Sequence, residues 1–466
     1  MNSARFVLAV ALVLLPHAAR GAEPFLGKQD LFVAGGNSAH DVYHIPGIVV
    51  TARGTVLAWC EARRGGGDWS DIMILLRRST DDGRTWSEPR SIVKVSDPKP
   101  KNPFALALKN VDPDHVTYNN PVLIADRDGT VHMLFCLEYM RCFYQRSTDD
   151  GLSWSPPVEI TSCFTAFKPA YPWTVLATGP NHGIQLRTGR LVVPVWLSTG
   201  TGGNAHRPSV TATIYSDDGG RSWKAGGIAV PNTDEWINPN ETVAVELADG
   251  RVMLNVRSES KAHRRIVTES TDGATGWSRP RFDEALLEPI CMAGIVRYDH
   301  DGRRLLLFSN PHTLEGSRGP QTAPGTSRIR KNVSVKLSRD EGGTWPVNRL
   351  LEDGPSGYSD IAVTPAGTIL CFYGAGKTPS FSGTALRLAR FNLAWLESPS
   401  APISAEPVTN SLGMTLVPVQ PGTFTMGQDG PPLEDYLRQK RFGDMWKDVD
   451  RADFDEQPAH TVTITH

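Results

Sequence analysis

Residues Ser147–Trp154 read Ser-Thr-Asp-Asp-Gly-Leu-Ser-Trp, and this eight-residue pattern recurs along the chain. Good copies lie at Ser79–Trp86, Ser216–Trp223 and Ser338–Trp345, with a degenerate copy at Ser270–Trp277. Ser and Asp side chains can bond nearby backbone amides in a turn, Gly relaxes the backbone, and Trp packs inward. The pattern predicts turns that fasten the outer strands of a repeated β-unit, so we interpret its aspartates as structural rather than catalytic.

A second repeat, made of a strand, a glycine turn and another strand, precedes the copies of this eight-residue pattern. One copy is Pro121–Cys136, which reads PVLIADRDGTVHMLFC. Each turn glycine stands where a hairpin needs positive φ, which Gly adopts at little cost. Six copies, 52 to 75 residues apart, predict an all-β propeller of six blades. The six turn glycines are Gly54, Gly129, Gly189, Gly250, Gly302 and Gly367.

The propeller is predicted to occupy residues 22–396 and to close on itself. From position alone, Ala385–Trp395 is the late strand of the last blade, and Asp30–Ala34 supplies its outer strand. Residues 397–409 form a Pro/Ser/Ala-rich linker. Residues 410–466 resemble the opening of a formylglycine-generating (sulfatase-modifying) domain, but no activity carries over because the reactive cysteines of that family lie further along.

The N-terminal residues 1–21 are typical of an export signal. Arg5 supplies a positive start, and the apolar run Phe6–Pro16 is too short to span a bilayer. We expect a secreted or periplasmic protein, with an N-terminal membrane anchor as the alternative. The net charge of −2 argues against nucleic acid as a partner.

The six cysteines give no metal signature. Cys60, Cys136 and Cys371 lie in strand-like runs, where buried free thiols are common, and Cys136 with Cys142 is the only near pair that could form a disulfide. No CxxC or His-rich spacing is present. We therefore expect neither a metal nor another cofactor.

Together the hairpins and the eight-residue patterns, which match the Asp-boxes of that family, resemble the sialidase (neuraminidase) family of glycoside hydrolases. The resemblance covers roughly residues 41–395. The resemblance implies that the substrate is a glycan and that a terminal acidic sugar is released, with sialic acid as the leading candidate. It also implies that the anomeric configuration of the sugar is retained. In that family the first blade opens with Phe/Tyr-Arg-Ile-Pro, and here the motif is Tyr43-His44-Ile45-Pro46. The motif from Glu61 to Asp68 matches the loop that carries the family's acid/base aspartate. This match implies that Asp68 has the acid/base role, with Asp71 as the alternative.

The family's nucleophile is a tyrosine rather than a carboxylate. The anomeric carbon of sialic acid carries a carboxylate, which repels an anionic nucleophile, whereas a neutral tyrosine approaches freely but needs a base for its proton. By resemblance Tyr358 is this nucleophile and Glu241 is the base.

Guanidinium groups hold the substrate carboxylate in this family through paired, charge-assisted bonds. Arg257 matches the second arm of its arginine triad and Arg330 the third, with Arg328 as a less well-spaced rival. Arg63, within the acid loop motif, is a further substrate-binding candidate.

His44 stands where the family has the first arginine of this triad. Gly374 lies near the position of a glutamate that, in the family, braces that arginine. A histidine is charged only below roughly pH 6.5, so we expect affinity for a carboxylate to weaken as pH rises through that value. The change leaves two alternatives open: a related enzyme for another anionic glycan, uronate-bearing or sulfated, and a non-catalytic glycan-binding propeller.

Overall fold

The computed structural model describes residues 23–35, 38–107, 112–202, 204–317, 327–376 and 385–398, and four short strands further on. The chain divides into two compact units, Met1–Ser398 and Pro399–His466. In the second unit, Val408–Thr409 pairs with Thr415–Leu416, and Gly422–Met426 pairs with His460–Ile464. The predicted export signal and most of the predicted linker and C-terminal segment lie outside the described residues.

The first unit is a six-bladed β-propeller, as predicted. The strands of its first three blades, with the chain start, are β1 (Leu26–Val33), β2 (Val42–Val50), β3 (Val56–Arg64), β4 (Asp71–Ser79), β5 (Arg90–Ser91), β6 (Tyr118–Ala125), β7 (Val131–Leu137), β8 (Arg141–Ser147), β9 (Val158–Glu159), β10 (Val175–Thr178), β11 (Asn181–His182), β12 (Ile184–Gln185), β13 (Leu191–Ser198), β14 (Ser209–Ser216) and β15 (Lys224–Val230).

The other three blades contain β16 (Thr242–Glu246), β17 (Val252–Val256), β18 (Arg264–Ser270), β19 (Arg281–Leu287), β20 (Gly294–His300), β21 (Arg303–Pro311), β22 (Val333–Ser338), β23 (Val347–Leu350), β24 (Ser356–Val363), β25 (Ile369–Ala375) and β26 (Ala385–Phe391). The described helices are short: α1 (Pro103–Leu106), a 3₁₀ helix (Thr161–Phe167) and α2 (Leu393–Glu397).

Each blade is one sheet. Blade 1 is β2 to β5, and blade 2 is β6 to β9 with β11 paired to β6. Blade 3 contains β10 and β12 to β15, blade 4 is β16 to β19, and blade 5 is β20 to β23. In blade 6 the order is β24, β25, β26 and β1. The first strands of the blades therefore surround the propeller axis.

The chain start closes the ring, as predicted from position. Strand β1 pairs antiparallel with β26, with Asp30 opposite Arg387, and these two side chains form an ion pair at 2.7 Å. The late strand ends earlier than predicted. Asn392 caps helix α2 by accepting a hydrogen bond from the Trp395 amide at 2.9 Å, so Trp395 is helical.

The hairpin glycines have the backbone predicted for them. All six have positive φ, between 73° and 95°. This confirms the turn assignment on which the blade count rested.

The Asp-boxes lie between the third and fourth strands of their blades and are structural. In one box, Asp149 Oδ1 accepts hydrogen bonds from Ser147 Oγ at 2.7 Å and the Ser153 amide at 2.8 Å. The Ser153 bonds lower the pKa of the Asp149 carboxyl to about 2. The next residue reaches the preceding blade, because Thr55 Oγ1 donates to Asp150 Oδ2 at 3.1 Å. The box therefore fastens its own turn and joins two blades.

Box tryptophans differ in burial, and this changes the stability expected of their variants. Trp345 is 9% exposed and its indole donates to Asp283 Oδ2 at 3.0 Å, whereas Trp154 is only half-buried. We expect Trp345→Ala to cost about 3–5 kcal/mol of unfolding free energy and Trp154→Ala less. Chemical denaturation measures both. Equal costs, or loss of activity per folded molecule, would contradict this assignment.

The six cysteines are free thiols. Cys136 and Cys142 lie directly opposite each other on β7 and β8, and both are buried. Burial, with the neighbouring thiol, raises the pKa of Cys142. The near pair expected from the sequence therefore exists in space, but without a disulfide.

Candidate active site

The predicted site residues meet at one end of the propeller, where the innermost strands begin. His44 lies in β2, Tyr358 in β24, and Glu241 immediately precedes β16. The pairing register shifts between His44 and Gly47 in β2 and between Ser356 and Ser359 in β24. Such bulges re-aim side chains beside functional sites. The local backbone therefore turns these side chains out of the regular sheet pattern.

Tyr358 and Glu241 form a hydrogen-bonded pair. The Tyr358 hydroxyl donates to the Glu241 carboxylate, with oxygen–oxygen distances of 2.7 and 2.8 Å. Arg257 Nη1 donates to the Tyr358 oxygen at 2.6 Å and also pairs with Glu241. Burial and Glu241 raise the pKa of the phenol, although Arg257 opposes them. The tyrosine is therefore a neutral phenol beside a base.

The ring of Tyr358 lies between two other predicted site residues. The His44 ring is 4.4 Å from it, centroid to centroid, and the Arg330 guanidinium carbon is 4.9 Å from its centroid. Arg330 is buried and also donates to the carbonyl of Ile290. Arg328 instead lies near His263, whose pKa is lowered by burial first and also by the charge of Arg328. The geometry thus brings Arg330, rather than its rival, to the tyrosine.

The acid loop is organised by Arg63, which is 1% exposed. Its Nε donates to Glu61 Oε2 and its Nη1 to Asp68 Oδ1, both at 2.9 Å. Burial opposes ionisation of Asp68, but Arg63 outweighs it and lowers the carboxyl pKa to about 2. The competitor Asp71 bonds Arg64 at 3.3 Å. Arg63 is therefore held by two carboxylates and orients one of them.

The electrostatics of His44 contradict the pH dependence expected from its sequence. His44 is 4% exposed. Burial, followed by the positive charges of Arg63 and Arg330, lowers its pKa well below the usual histidine value. The imidazole is therefore neutral around pH 6.5, and the prediction that a protonated His44 holds a carboxylate up to that pH is wrong. Arg63 and Arg330 were both predicted as substrate-binding residues, but that they pack against a buried His44 is visible only in the structure.

Gly374 leaves room for a side chain. A Cβ built there has Gly357 N and a Leu386 carbon as neighbours at 4.0 Å, which is ordinary contact distance. Crowding therefore does not require a glycine at position 374.

Sequence reasoning missed an aromatic group beside Asp68. The His206 ring lies 5.9 Å from Trp69, 4.9 Å from Tyr139 and 5.2 Å from Trp196. His206 also contributes to the lowered pKa of Asp68, which places it near the carboxylate. Two signals were available: Trp69 follows Asp68 directly, and His206 lies in a glycine-rich loop, which often carries functional groups.

The described residues contain neither a metal-ligand cluster nor a helix that could span a membrane. No group of three or more His, Cys, Asp or Glu side chains there is arranged to hold a metal ion. No helix there is long and apolar enough to cross a membrane.

Fold and site define a six-bladed Asp-box propeller with a tyrosine–glutamate pair, arginines and a loop aspartate at one end of its axis. The family model described as a BNR repeat-like domain matches residues 93–371, more than half of the chain. The chain therefore belongs to the sialidase-like BNR-repeat family.

Its relatives include a sialidase from Micromonospora viridifaciens, 33% identical over 86% of this chain and 59% of that protein. A sialidase from Bacteroides fragilis is 30% identical over 72% of this chain and 60% of that protein. The chain thus spans less than two thirds of these relatives' length. The solved intramolecular trans-sialidase from Ruminococcus gnavus has a TM-score of 0.62 and 20% identity, covering 80% of this chain and 98% of that chain. At this identity the likeness concerns the fold.

Proposed function

We propose that this protein is a retaining exo-glycosidase of the sialidase type that releases a terminal acidic sugar, sialic acid first, from glycoconjugates. The observation that carries the proposal is the Tyr358–Glu241 pair at 2.7 and 2.8 Å. A glycan-binding protein needs no buried nucleophile hydrogen-bonded to a base. We also propose that the protein is exported, on the N-terminal sequence alone.

In the proposed reaction the Tyr358 oxygen attacks the anomeric carbon while its proton passes to Glu241. The bond to the leaving oxygen breaks, and that oxygen takes a proton from Asp68. Water then attacks the anomeric carbon of the glycosyl–tyrosine intermediate and gives a proton to Asp68. The bond between that carbon and the Tyr358 oxygen breaks, and Glu241 returns to this oxygen the proton that it took in the first step. The sugar leaves with its original configuration because two displacements have occurred.

Arg257 and Arg330 are the groups proposed to orient the sugar's carboxylate. Both guanidinium groups adjoin the tyrosine, so a carboxylate bound by them lies next to the anomeric carbon that is attacked. Arg257 also contacts the hydroxyl and the base, which supports a second contribution, the stabilisation of negative charge on the phenol oxygen.

A second candidate function is hydrolysis of another anionic glycan. The observation that favours it is His44, which is neutral and stands where the resemblance expects a guanidinium. A neutral imidazole offers a single hydrogen bond in place of a paired, charged one.

The test is a screen of the purified full chain on fluorogenic α-sialosides and uronides between pH 4 and 8. Turnover of sialosides supports the first function, and turnover of uronides alone supports the second. A folded protein inactive on both sets, but binding acidic glycans, would overturn the enzymatic proposal.

The double variant His44→Arg/Gly374→Glu is expected to bind sialosides more tightly than the wild type. The new arginine provides a guanidinium for the substrate carboxylate. The new glutamate provides a carboxylate that balances this added positive charge beside Arg63 and Arg330. A charged hydrogen bond contributes about 1.5–3 kcal/mol, so KM for sialosides should fall about ten- to a hundredfold. Steady-state kinetics at pH 5 and 7 measures this.

The single variants separate the causes. His44→Arg alone places a further positive charge among buried arginines and should lower the melting temperature, whereas Gly374→Glu alone should not improve KM. Loss of activity on the true substrate without any gain on sialosides would show that the pocket fits another sugar.

A further inference from the structure

Strand β24 is tied across the propeller axis two residues beyond Tyr358. Asp360 is fully buried, and its Oδ1 accepts a hydrogen bond from His182 Nδ1 at 2.8 Å. Its Oδ2 accepts one from the Ile48 amide at 2.9 Å. Asp360 belongs to blade 6, Ile48 to blade 1, and His182 to the strand paired with blade 2. One carboxylate therefore joins three blades at the axis.

The same strand lacks regular ladder pairing where the tyrosine lies. Ser356 pairs with Ala375 and Ser359 with Tyr373, so the register shifts across Gly357 and Tyr358. The adjacent residue, Ser359, is also bonded to residues of other blades. Asn181 Nδ2 donates to the Ser359 carbonyl at 2.8 Å, and Ser359 Oγ donates to the carbonyl of Ser309 at 2.9 Å. These bonds therefore hold the backbone directly beside Tyr358 at the point where its own ladder pairing is missing.

The His182–Asp360 contact is an ion pair when the histidine is protonated. Burial opposes the charge, but Asp360 outweighs it and raises the pKa of His182. Strand β6 lies beside His182 with Leu123, β2 presents the Ile48 amide, and β20 hydrogen-bonds the ring through the Ile295 backbone. Among the described groups, Asp360 is therefore the titratable partner that controls the charge.

His182 is reached from the end of the propeller opposite the tyrosine. A cavity of about 570 Å³ is lined by the later residues of the innermost strands, including Val49, Ala125, Val245 and Val363, and His182 lies on its wall. The catalytic candidates are not among its lining residues. Protons can therefore exchange at His182 without passing the substrate site.

We propose that His182 is a positioning residue: paired with Asp360 across the axis, it holds the bulged strand so that Tyr358 stays in hydrogen-bonding register with Glu241. This inference rests on the proposed function of Tyr358. The protonated pair is intact in acid, and the charge is lost as pH rises through the raised pKa of His182. The tyrosine then loosens, and turnover falls on the alkaline side.

The test uses the full chain and two His182 variants. His182→Asn keeps a donor near the position of Nδ1 without the charge, and His182→Leu removes both. Protein labelled with [¹³Cζ]tyrosine, with the Tyr358 signal assigned by Tyr358→Phe, reports the phenol's environment between pH 5 and 9 without any substrate. We expect a pH-dependent shift in the wild type, none in His182→Asn, and a displaced signal at all pH values in His182→Leu.

Kinetics provides the second measurement. We expect His182→Leu to lower kcat by up to about 10²-fold, the scale for ångström misplacement of a reacting group, with little change in KM. His132→Asn is the control, because His132 is also buried and pairs with Asp126 at 3.2 Å, but it lies on β7 of blade 2 and its other bond is to Tyr144. It should lower the melting temperature and leave kcat unchanged.

The outcomes are distinct for the two proposals. An unchanged Tyr358 signal in folded His182→Leu, or in His182→Asn the same pH-dependent shift as in the wild type, overturns the positioning inference even if the enzyme is active. If the wild type turns over no acidic glycoside, the proposed function fails, while the tyrosine signal still decides whether His182 positions the strand. Should His182→Leu not fold, the pH response of His182→Asn alone decides.

Discussion

Tyr358→Phe should abolish normal turnover while leaving the protein folded. The substitution removes only the attacking oxygen, and the ring keeps its contacts with His44 and Arg330. We expect kcat to fall by on the order of 10³-fold or more, since binding and electrostatic stabilisation alone remain when a covalent nucleophile is lost. Steady-state kinetics on an aryl glycoside measures the fall.

The matched control is Tyr373→Phe. Tyr373 is buried in the same blade, and its hydroxyl donates to Glu352 at 2.6 Å, so the same atom is removed from a similar tyrosine–glutamate bond outside the site. It should cost stability and leave kcat per folded molecule unchanged. If both variants lose activity equally, the effect on Tyr358 is structural.

Product stereochemistry gives an independent measurement. Two displacements retain the anomeric configuration, whereas direct attack by water inverts it. Proton NMR of the first-formed sugar should therefore show retention in the wild type and inversion in any residual turnover by Tyr358→Phe. Retention in the variant at near-wild-type rate would sink the nucleophile assignment.

The fold could be read from the sequence because its signals are local and repeated. A glycine at each hairpin and a box after most hairpins require only a few neighbouring residues, and Gly54 and Gly367 have similar positive φ, 83° and 77°, although they stand in different blades. Ring closure by β1 is not local, and it was predicted only because a propeller needs its last blade completed.

The site's electrostatics could not be predicted in the same way. The lowered pKa of His44 arises from burial and from Arg63 and Arg330, and Arg330 lies far from His44 in sequence. His182 and Asp360 are 178 residues apart in sequence. Asp360 lies two residues beyond Tyr358, in the segment that matches the family's tyrosine motif, but His182 belongs to no such motif, so only the three-dimensional arrangement relates it to Tyr358.

Asp68→Asn should damage poor substrates far more than good ones. A leaving group that is a sugar hydroxyl needs a proton in the transition state, whereas an activated aryl oxide does not. We expect kcat/KM to fall about 10²–10⁴-fold on a natural disaccharide glycoside and less than about tenfold on a nitrophenyl glycoside. Both substrates are compared at the same pH with the same enzyme preparation.

The low pKa of Asp68 makes this prediction specific. In the unliganded protein the carboxyl, with a pKa of about 2, is ionised, so it cannot yet donate a proton. Its side chain is 36% exposed, and a substrate that covers it removes water and raises its pKa. Proton uptake should therefore accompany binding of a non-reactive substrate analogue to the wild type and be absent in Asp68→Asn, measured by calorimetry in buffers of different ionisation enthalpy.

Asp71→Asn is the control for this residue. Asp71 lies three positions away on the same segment but bonds Arg64 rather than Arg63, so its loss should affect neither the leaving-group dependence nor proton uptake. Since the amide of Asp68→Asn can still accept the hydrogen bond from Arg63, the loop should keep its position. Equal losses on the two substrates would show that Asp68 holds the loop through Arg63 and that the proton comes from another group.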